Sequence, residues 1–322
     1  MHSITVDQTG GPEVLRYREL PDPVPGSGEL LVDVAAAGVN FIDVYQREGR
    51  YQAGLPFVPG REGAGTVTRL GAGVTGFTVG QRVAWASGVL GSYSTRAVIP
   101  AERAVAVPDG MDPETAAATM LQGMTAHYLT HSTYEVQRGD TVLVHAAAGG
   151  TGLLLTQLVK LLGGRVIGTV SSPEKEKLAR QAGADEVIAY EGFDQKVRDL
   201  TGGEGVPVVY DGVGRATFDR SLASLRTRGL MVLYGGASGP VAPFDPIRLL
   251  DGGGLFLTRP TLIPAYLRTR EEFLWRAGDV LRWVASGELR VHIGHRYPLA
   301  DARRAHEDLE GRRSTGKLLL IP

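Results

Sequence analysis

VLVHAAAGGTGLLLTQLVKLLGG, running from Val142 to Gly164, decides how this chain is read. Strand-forming residues lead into three alanines, a glycine cluster follows, and an apolar run of helical character closes the stretch. A strand that turns through glycines into a helix is the form of a dinucleotide loop. Read as G-x-G-x-x-G, the first glycine has become Ala147, while Gly149 and Gly152 survive. The second glycine lets backbone approach a pyrophosphate. The third lets helix and strand pack closely, and the helix N-terminus offers free N–H groups to phosphate oxygens. Gly149, Gly150, Thr151 and Gly152 are therefore candidate cofactor contacts. A glycine-rich turn with nothing bound to it has the same spelling, so the residues around it must arbitrate.

The next strand-like run, Arg165 to Val170, ends in Ser171-Ser172-Pro-Glu-Lys175. This is about 20 residues beyond the loop, where an acid would bind the ribose hydroxyls of NAD. No acid stands at the strand end, and Glu174 follows only in the helix start. Two hydroxyls and a lysine are there instead, in a chain with five lysines in all. Ser171, Ser172 and Lys175 suit a 2′-phosphate, which predicts NADP(H). A serine helix cap followed by solvated lysines is the alternative.

Outward from this loop the pattern alternates. Strand-like TVLVHA, RVIGTV, DEVIAY, VPVVYDGVG, GLMVLYGG and GLFLTRP are separated mostly by helical stretches, which predicts βαβ units and a parallel sheet with helices on both faces. Upstream, short strands such as Glu29–Val34, Gly65–Leu70 and Arg82–Trp85 lie between the turn clusters GGPE, PDPVPGSG, GAGVTGFTVG and SGVLGSYS. That texture predicts a compact β-rich barrel or sandwich. Asp112-Pro113 reads as a helix cap with proline at the first helical position. The helix it opens is expected to run to Leu121, to be interrupted at Gly123, and to resume to about Tyr134. Glu271 to Ser286 is a further amphipathic helix, and GKLLLIP a last strand returned to the first domain.

The chain has 322 residues, enough for two domains, and carries 34 Lys and Arg against 35 Asp and Glu, a net charge of −1. That balance gives no electrostatic case for nucleic acid or an anionic membrane. The mixed charges after Arg290 read as a solvated helix face. There is no cysteine, so disulfides, thiolate nucleophiles and sulfur-bound zinc are excluded. The N-terminus has no signal pattern, and the apolar run Leu153–Leu162 falls short of the ~20 residues a spanning helix needs. A soluble, cytoplasmic chain is expected.

Several motifs together carry a resemblance. They are Thr9-Gly-Gly-Pro-Glu-Val-Leu15, Gly38-Val-Asn-Phe-Ile-Asp-Val-Tyr45, Leu121-Gln-Gly-Met-Thr125, His145-Ala-Ala-Ala-Gly-Gly-Thr-Gly152, Val209-Tyr-Asp-Gly-Val-Gly214, Thr258-Arg-Pro260 and Gly316-Lys-Leu-Leu-Leu-Ile-Pro322. With these the whole chain resembles the medium-chain dehydrogenase/reductase superfamily, and within it the zeta-crystallin-type quinone oxidoreductases. The resemblance implies an α/β chain. A GroES-like β-rich domain is formed by residues 1–124 and 262–322, and a Rossmann domain with a doubly wound parallel sheet by 125–261. Cofactor and substrate are expected in the cleft between them.

Zinc alcohol dehydrogenases of the superfamily carry a catalytic Cys where this chain has Asn40, and Gly-His-Glu where it has Gly60-Arg61-Glu62. Without thiolates and that imidazole, no zinc site is expected there. The pairs His127/His131 and His292/His295 are expected to be structural. The nearest match to a serine-nucleophile elbow, Gly236-Ala-Ser238-Gly-Pro240, has proline in place of its last glycine.

The reaction implied is zinc-independent reduction of a quinone or activated carbonyl acceptor by NADPH. Without a Lewis acid, an easily reduced acceptor is favoured, and a donor for its developing oxyanion remains to be found. The resemblance places Asn40, Tyr45 and Tyr51 near nicotinamide and substrate. Tyr51 is the expected acceptor-facing hydroxyl, Tyr45 shares that role or lines the pocket, and Asn40 positions nicotinamide or substrate. Tyr128 reaches the nicotinamide or is a core tyrosine, and Tyr190 lies along the adenosine. Gly214, Gly235 and Gly236 end two parallel strands at the cofactor. Arg259 contacts the nicotinamide side or a neighbouring subunit. Lys317 closes over the cofactor or is an exposed lysine at a strand start. Gln122 and Gln81 depart from residues common in relatives, as does Ser171, which stands where close relatives often have glycine. A homodimer through the edge strand Leu255–Thr258 is implied. Rival readings are an enone or 2-alkenal reductase on the same scaffold and a non-enzymatic NADPH-binding protein.

Overall fold

The computed structural model describes residues 1–86 and 88–322. Ser87, the first residue of the turn cluster SGVLGSYS, lies outside the described residues. The chain opens with a hairpin, β1 (His2–Val6) against β2 (Leu15–Glu19). Then come β3 (Glu29–Val39), α1 (Phe41–Arg47), β4 (Glu62–Leu70), β5 (Arg82–Ala86), β6 (Arg96–Pro100) and β7 (Ala104–Ala106). Helix α2 (Pro113–Tyr128) leads into an alternating stretch. Its members are β8 (Thr141–Val144), α3 (Gly150–Leu161), β9 (Arg165–Val170), α4 (Pro173–Gln181), β10 (Glu186–Ala189), α5 (Phe193–Leu200), β11 (Val206–Asp211), α6 (Phe218–Ala223), β12 (Leu225–Leu233), α7 (Ile247–Asp251) and β13 (Phe256–Thr258). Helix α8 (Arg270–Ala285), β14 (Ile293–Pro298), α9 (Ala302–Glu310) and β15 (Lys317–Ile321) follow. Two compact units result, one of Met1–Met124 with Tyr266–Pro322 and one of Thr125–Ala265.

The second unit is a six-stranded sheet ordered β10-β9-β8-β11-β12-β13, with every pair parallel. Each connection therefore crosses over, and helices fill most of the crossovers. Strand β11 is buried along its whole length, as a strand covered on both faces must be. The order reverses direction between β8 and β11. At such a switch point the crevice beyond the carboxyl ends of the strands is where a doubly wound sheet binds ligands.

In the first unit β3 is the organising strand. It pairs with β4, β6 and, antiparallel, β15, which sets Leu319 opposite Gly38. The core beneath includes Ile4, Val32, Trp85, Tyr93, Leu318 and Leu320. Trp85 is wholly buried and its indole N–H donates to Ser92 Oγ at 2.9 Å, as a buried indole requires.

One sequence expectation fails here. Helix α2 is not interrupted at Gly123 but continues to Tyr128, and a π-helical turn over Leu129–Thr133 follows. A Cβ at Gly123 would stand 3.3 Å from Val280 Cβ on α8. The glycine allows close approach of two helices, at a cost of about 1 kcal/mol in helix propensity, rather than ending one. The start of α2 behaves as expected, with Asp112 Oδ1 accepting the Thr115 N–H at 2.8 Å.

Candidate active site

The glycine turn sits at the switch point of the parallel sheet. Gly149 caps α3 and, having no side chain, gives the first-turn N–H groups no capping bond. A Cβ at Gly152 would lie 2.2 Å from Ala146 O and 2.9 Å from Ala147 Cα, so only glycine packs there. Ala147 in place of the usual first glycine is matched in the next strand. Gly168 of β9 lies under it, and a Cβ on Gly168 would come within 2.8 Å of the Ala147 methyl. Ala146 takes a left-handed φ of 51°, and its N–H donates to the Tyr190 hydroxyl at 3.0 Å. Tyr190 thus braces the turn from the end of β10.

At the end of β9, Ser172 caps α4, its Oγ accepting the Lys175 N–H at 3.3 Å. Lys175 Nζ reaches Ser171 Oγ at 3.4 Å. A hydrogen bond from Ser172 holds the Glu174 carboxyl below its ordinary range. The cap and the cationic hydroxyl cluster are therefore both present in the same four residues.

At the end of β11 the anchor is Asp211, which sequence reasoning passed over. Its Oδ1 accepts the N–H groups of Val213 and Gly214 at 2.7 and 2.9 Å. Its Oδ2 accepts the hydroxyls of Thr217 and Ser221 at 2.6 and 2.9 Å. Ser221 Oγ also meets His145 Nε2 at 2.9 Å, and His145 Nδ1 meets Thr169 Oγ1 at 2.8 Å. Burial drives the His145 pKa down, so the ring is neutral. One buried network thereby ties together the ends of β8, β9 and β11. Gly214 has φ 86°, and a Cβ there would meet Gly239 O at 2.9 Å and Gly236 Cα at 3.0 Å. Gly235 packs as closely, a Cβ coming within 2.5 Å of Gly212 O. Gly149 to Gly152, Ser171, Ser172, Lys175, Tyr190, Gly214, Gly235 and Gly236 all follow carboxyl ends of the parallel strands. Tyr128 is 2% exposed, at the end of α2. Arg259 is exposed after the edge strand β13, one of its N–H groups 3.4 Å from Pro260 O.

In the first unit Asn40 caps α1, its N–H donating to Asp43 Oδ2 at 2.9 Å. Its amide N–H₂ donates to Gly38 O at 3.3 Å and Glu62 Oε2 at 2.8 Å. Its Oδ1 accepts from Lys317 Nζ at 2.8 Å and Gln122 Nε2 at 3.5 Å. Lys317 also donates to Glu62 Oε2, while Glu62 Oε1 accepts the Leu121 N–H at 2.6 Å. Lys317 is 1% and Glu62 0% exposed, so the alternative of an exposed lysine does not describe Lys317. A Cβ at Gly38 would fall 2.1 Å from Glu62 Oε2, which fixes glycine beside the pair. Glu62 is the second residue that sequence reasoning missed. Its signal was adjacency to Arg61 in the motif compared with the zinc enzymes. At those positions an ammonium group bridges Asn40 and Glu62. No group of three possible metal ligands occurs among the described residues.

Tyr45, 8% exposed, meets Tyr51 edge-on with centroids 5.5 Å apart, and Tyr51 is 42% exposed. Behind α1 a second network runs inward. Tyr93 OH donates to Asp43 Oδ2 at 3.0 Å and lies 3.1 Å from His306 Nε2. His306 Nδ1 lies 3.2 Å from Arg47 Nη1, and Arg47 clamps Glu310 with contacts of 2.6 and 3.1 Å. Arginine can only donate and the tyrosine proton is committed to Asp43. His306 must therefore accept at Nδ1 and donate at Nε2, the neutral form. Burial, reinforced by Arg47, pushes its pKa down to about 3, and burial lifts Asp43 to about 6.

The signs are opposite. As pH falls from 6.5 toward 3 the unfolded chain binds a proton at His306 that the folded chain refuses, so stability is lost. Asp43 is destabilising above pH 6 and gives that penalty back as pH falls toward 4. A glutamine at 306 supplies one acceptor and one donor without a titration. His306→Gln is thus expected to flatten the acid limb, by about 2 kcal/mol at pH 5 relative to pH 7. Urea midpoints of both proteins at the two pH values measure this, and parallel curves would remove His306 from the account.

A family model described as an alcohol dehydrogenase GroES-like domain matches residues 26–109. One described as a zinc-binding dehydrogenase matches residues 150–280. A quinone oxidoreductase of Pseudomonas aeruginosa is 49% identical over 97% of this chain and 97% of its own. A 2-haloacrylate reductase of a Burkholderia species is 40% identical over 98% of each chain. The solved structure of Escherichia coli quinone oxidoreductase complexed with NADPH superposes with a TM-score of 0.98, at 42% identity over 100% of both chains.

Proposed function

The chain belongs to the quinone oxidoreductase family of the medium-chain dehydrogenase/reductase superfamily, and on that premise we propose that it reduces quinones with NADPH. The observation that carries this reading is the parallel-sheet switch point, where a cradle that only glycine fits meets a hydroxyl and lysine cluster and a loop anchored by Asp211. NADPH, when bound, supplies a hydride. The N–H groups at the start of α3 receive the pyrophosphate, and Ser171, Ser172 and Lys175 receive the 2′-phosphate. Tyr190 and the Asp211–His145 network hold those loops in register before the cofactor arrives, which spares ordering cost on binding. Gly235, Gly236 and Gly214 leave room for the dinucleotide backbone; Tyr128 and Arg259 serve its nicotinamide side. In the first unit, Tyr51 faces the acceptor and Tyr45 backs it, while Asn40 is locked in place by Glu62 and Lys317. Lys317 holds Asn40 in place from β15.

A second reading is favoured by one observation, the 40% identical 2-haloacrylate reductase. Reduction of an activated carbon–carbon double bond uses the same cofactor and the same donors. Among the described residues no helix is long and apolar enough to cross a membrane, and action in the cytoplasm is part of the proposal. So is a homodimer. Edge strand β13 leaves Phe256 59% exposed, and nearby in sequence Ile247 and Leu250 are 50% and 67% exposed. An apolar edge of this kind is a liability unless paired.

The test is steady-state oxidation of NADPH and NADH with 1,4-benzoquinone. Saturable turnover preferring NADPH is expected. Lys175→Ala is expected to raise the KM for NADPH about tenfold, the value of one charge-assisted hydrogen bond, with little change for NADH. Equal use of both cofactors, unaltered in the variant, would remove the phosphate assignment.

A further inference from the structure

We infer that Arg61 is an anion receptor for the acceptor, selecting substrates that carry a carboxylate beside the reducible group. The inference rests on the reading that the first unit binds the acceptor. It starts from the hydrogen-bond account around Asn40. Both amide protons of Asn40 are used by Gly38 and Glu62, and its oxygen is used by Lys317 and Gln122. Glu62 has partners on both oxygens, and Lys317 is bound to Asn40 and Glu62. Each member of this network has partners within the fold.

Arg61, the next residue back from Glu62, is the contrast. Its side chain forms no hydrogen bond or ion pair with any described residue, and its Nε is buried without a partner. The residue is half-buried, and desolvation pushes its pKa down, although a guanidinium stays charged throughout the working range. A half-buried cation without a hydrogen-bond partner is costly and uncommon. The charge whose field acts on Arg61 is Asp43, whose Oδ1 is buried without a partner among the described residues. Asp43 belongs to the first turn of α1, which Asn40 caps and which leads to Tyr45. Arg61 thus donates no hydrogen bond to a described residue, while the field of Asp43, in the first turn of the helix that carries Tyr45, reaches it. Its planar fork matches a carboxylate in bidentate fashion, which a lysine does not. Quinones bearing a carboxylate and 2-unsaturated acids fit this description; their esters do not.

The test compares 2-chloroacrylate with its methyl ester as acceptors for the wild-type protein, Arg61→Gln and Arg61→Lys, all with NADPH. The quantity read is the acid-to-ester ratio of kcat/KM, because intrinsic reactivity cancels between proteins. Arg61→Gln is expected to lower that ratio at least tenfold, mostly through KM for the acid, and Arg61→Lys to recover part of it. Calorimetric titration of the NADP⁺-loaded proteins with benzoate and methyl benzoate gives a readout that needs no turnover. Benzoate is expected to bind the wild type more tightly than the ester does, and the difference to vanish in Arg61→Gln. An unchanged acid-to-ester ratio, or benzoate binding that ignores the substitution, overturns the inference. Selective benzoate binding without turnover of any acceptor would sustain Arg61 as the receptor and defeat the proposed reaction instead.

Discussion

Glu62→Ala is expected to cost about 3–5 kcal/mol of stability and to lower quinone turnover by about 100-fold. The side chain is 0% exposed and its partner Lys317 is 1% exposed. Removing the carboxylate strands an ammonium in the interior, and the penalty for an uncompensated buried charge exceeds the value of the lost contact itself. It also frees the Leu121 N–H and one amide proton of Asn40. Asn40 then loses the geometry that caps α1, and Tyr45 on that helix moves with it. Glu62→Gln keeps an acceptor for Leu121 but removes the charge, so it should fall between the two. The decisive comparison is the double variant Glu62→Met/Lys317→Met. Removing both charges together should recover most of the stability lost by the single change. It should not recover turnover, because Asn40 remains unheld. Urea unfolding with kcat/KM on the same four proteins separates these effects. A double variant no more stable than Glu62→Ala would mean that the pair is not the source of the cost.

Gly152→Ala should be the more damaging change to cofactor binding. Its new methyl would meet backbone, Ala146 O at 2.2 Å and Ala147 Cα at 2.9 Å, and neither is a flexible side-chain end. Either α3 moves outward or the turn is remodelled. Overpacking of this kind costs about 1–3 kcal/mol. A displacement on the order of 1 Å at the phosphate-facing N–H groups should raise the KM for NADPH about 100-fold. Gly149→Ala is the control, since its nearest contact would be Ala146 O at a less severe 3.2 Å. That variant should fold with near-normal stability and lose affinity only because its methyl intrudes on the pyrophosphate. If Gly152→Ala bound NADPH normally, the loop would not be the phosphate cradle.

The fold class was legible because its signals are local. Most crossovers in the parallel sheet are announced by a strand-like run, a turn and a helical run. The Ala147 substitution did not hide the loop, since Gly152 is the motif position whose geometry forbids a side chain, and that glycine is kept. Gly123 misled because glycine has two meanings, and the one that applies depends on Val280, far along the sequence. The same holds for the site. Glycines and serines near strand ends could be read from spacing alone. Glu62 with Lys317, Tyr93 with His306 and Arg47 with Glu310 are pairs 255, 213 and 263 residues apart. No periodicity or spacing encodes such pairs. Asp211 and His145 lay inside motifs noticed for their glycines, yet burial makes their polar atoms obligatory network members. That burial becomes visible only when β8, β9 and β11 lie side by side.

The β3–β15 pairing also orders events in time. Its partners enter the growing chain about 280 residues apart, with a contiguous unit between them. Contacts of such sequence separation form slowly, because the ends must be brought together before anything rewards the closure. Until β15 arrives, Glu62 has no ammonium to neutralise it and is better left hydrated than buried. Arrival of Lys317 supplies that charge, so the carboxylate and the ammonium are expected to enter the interior together, as β15 closes onto β3.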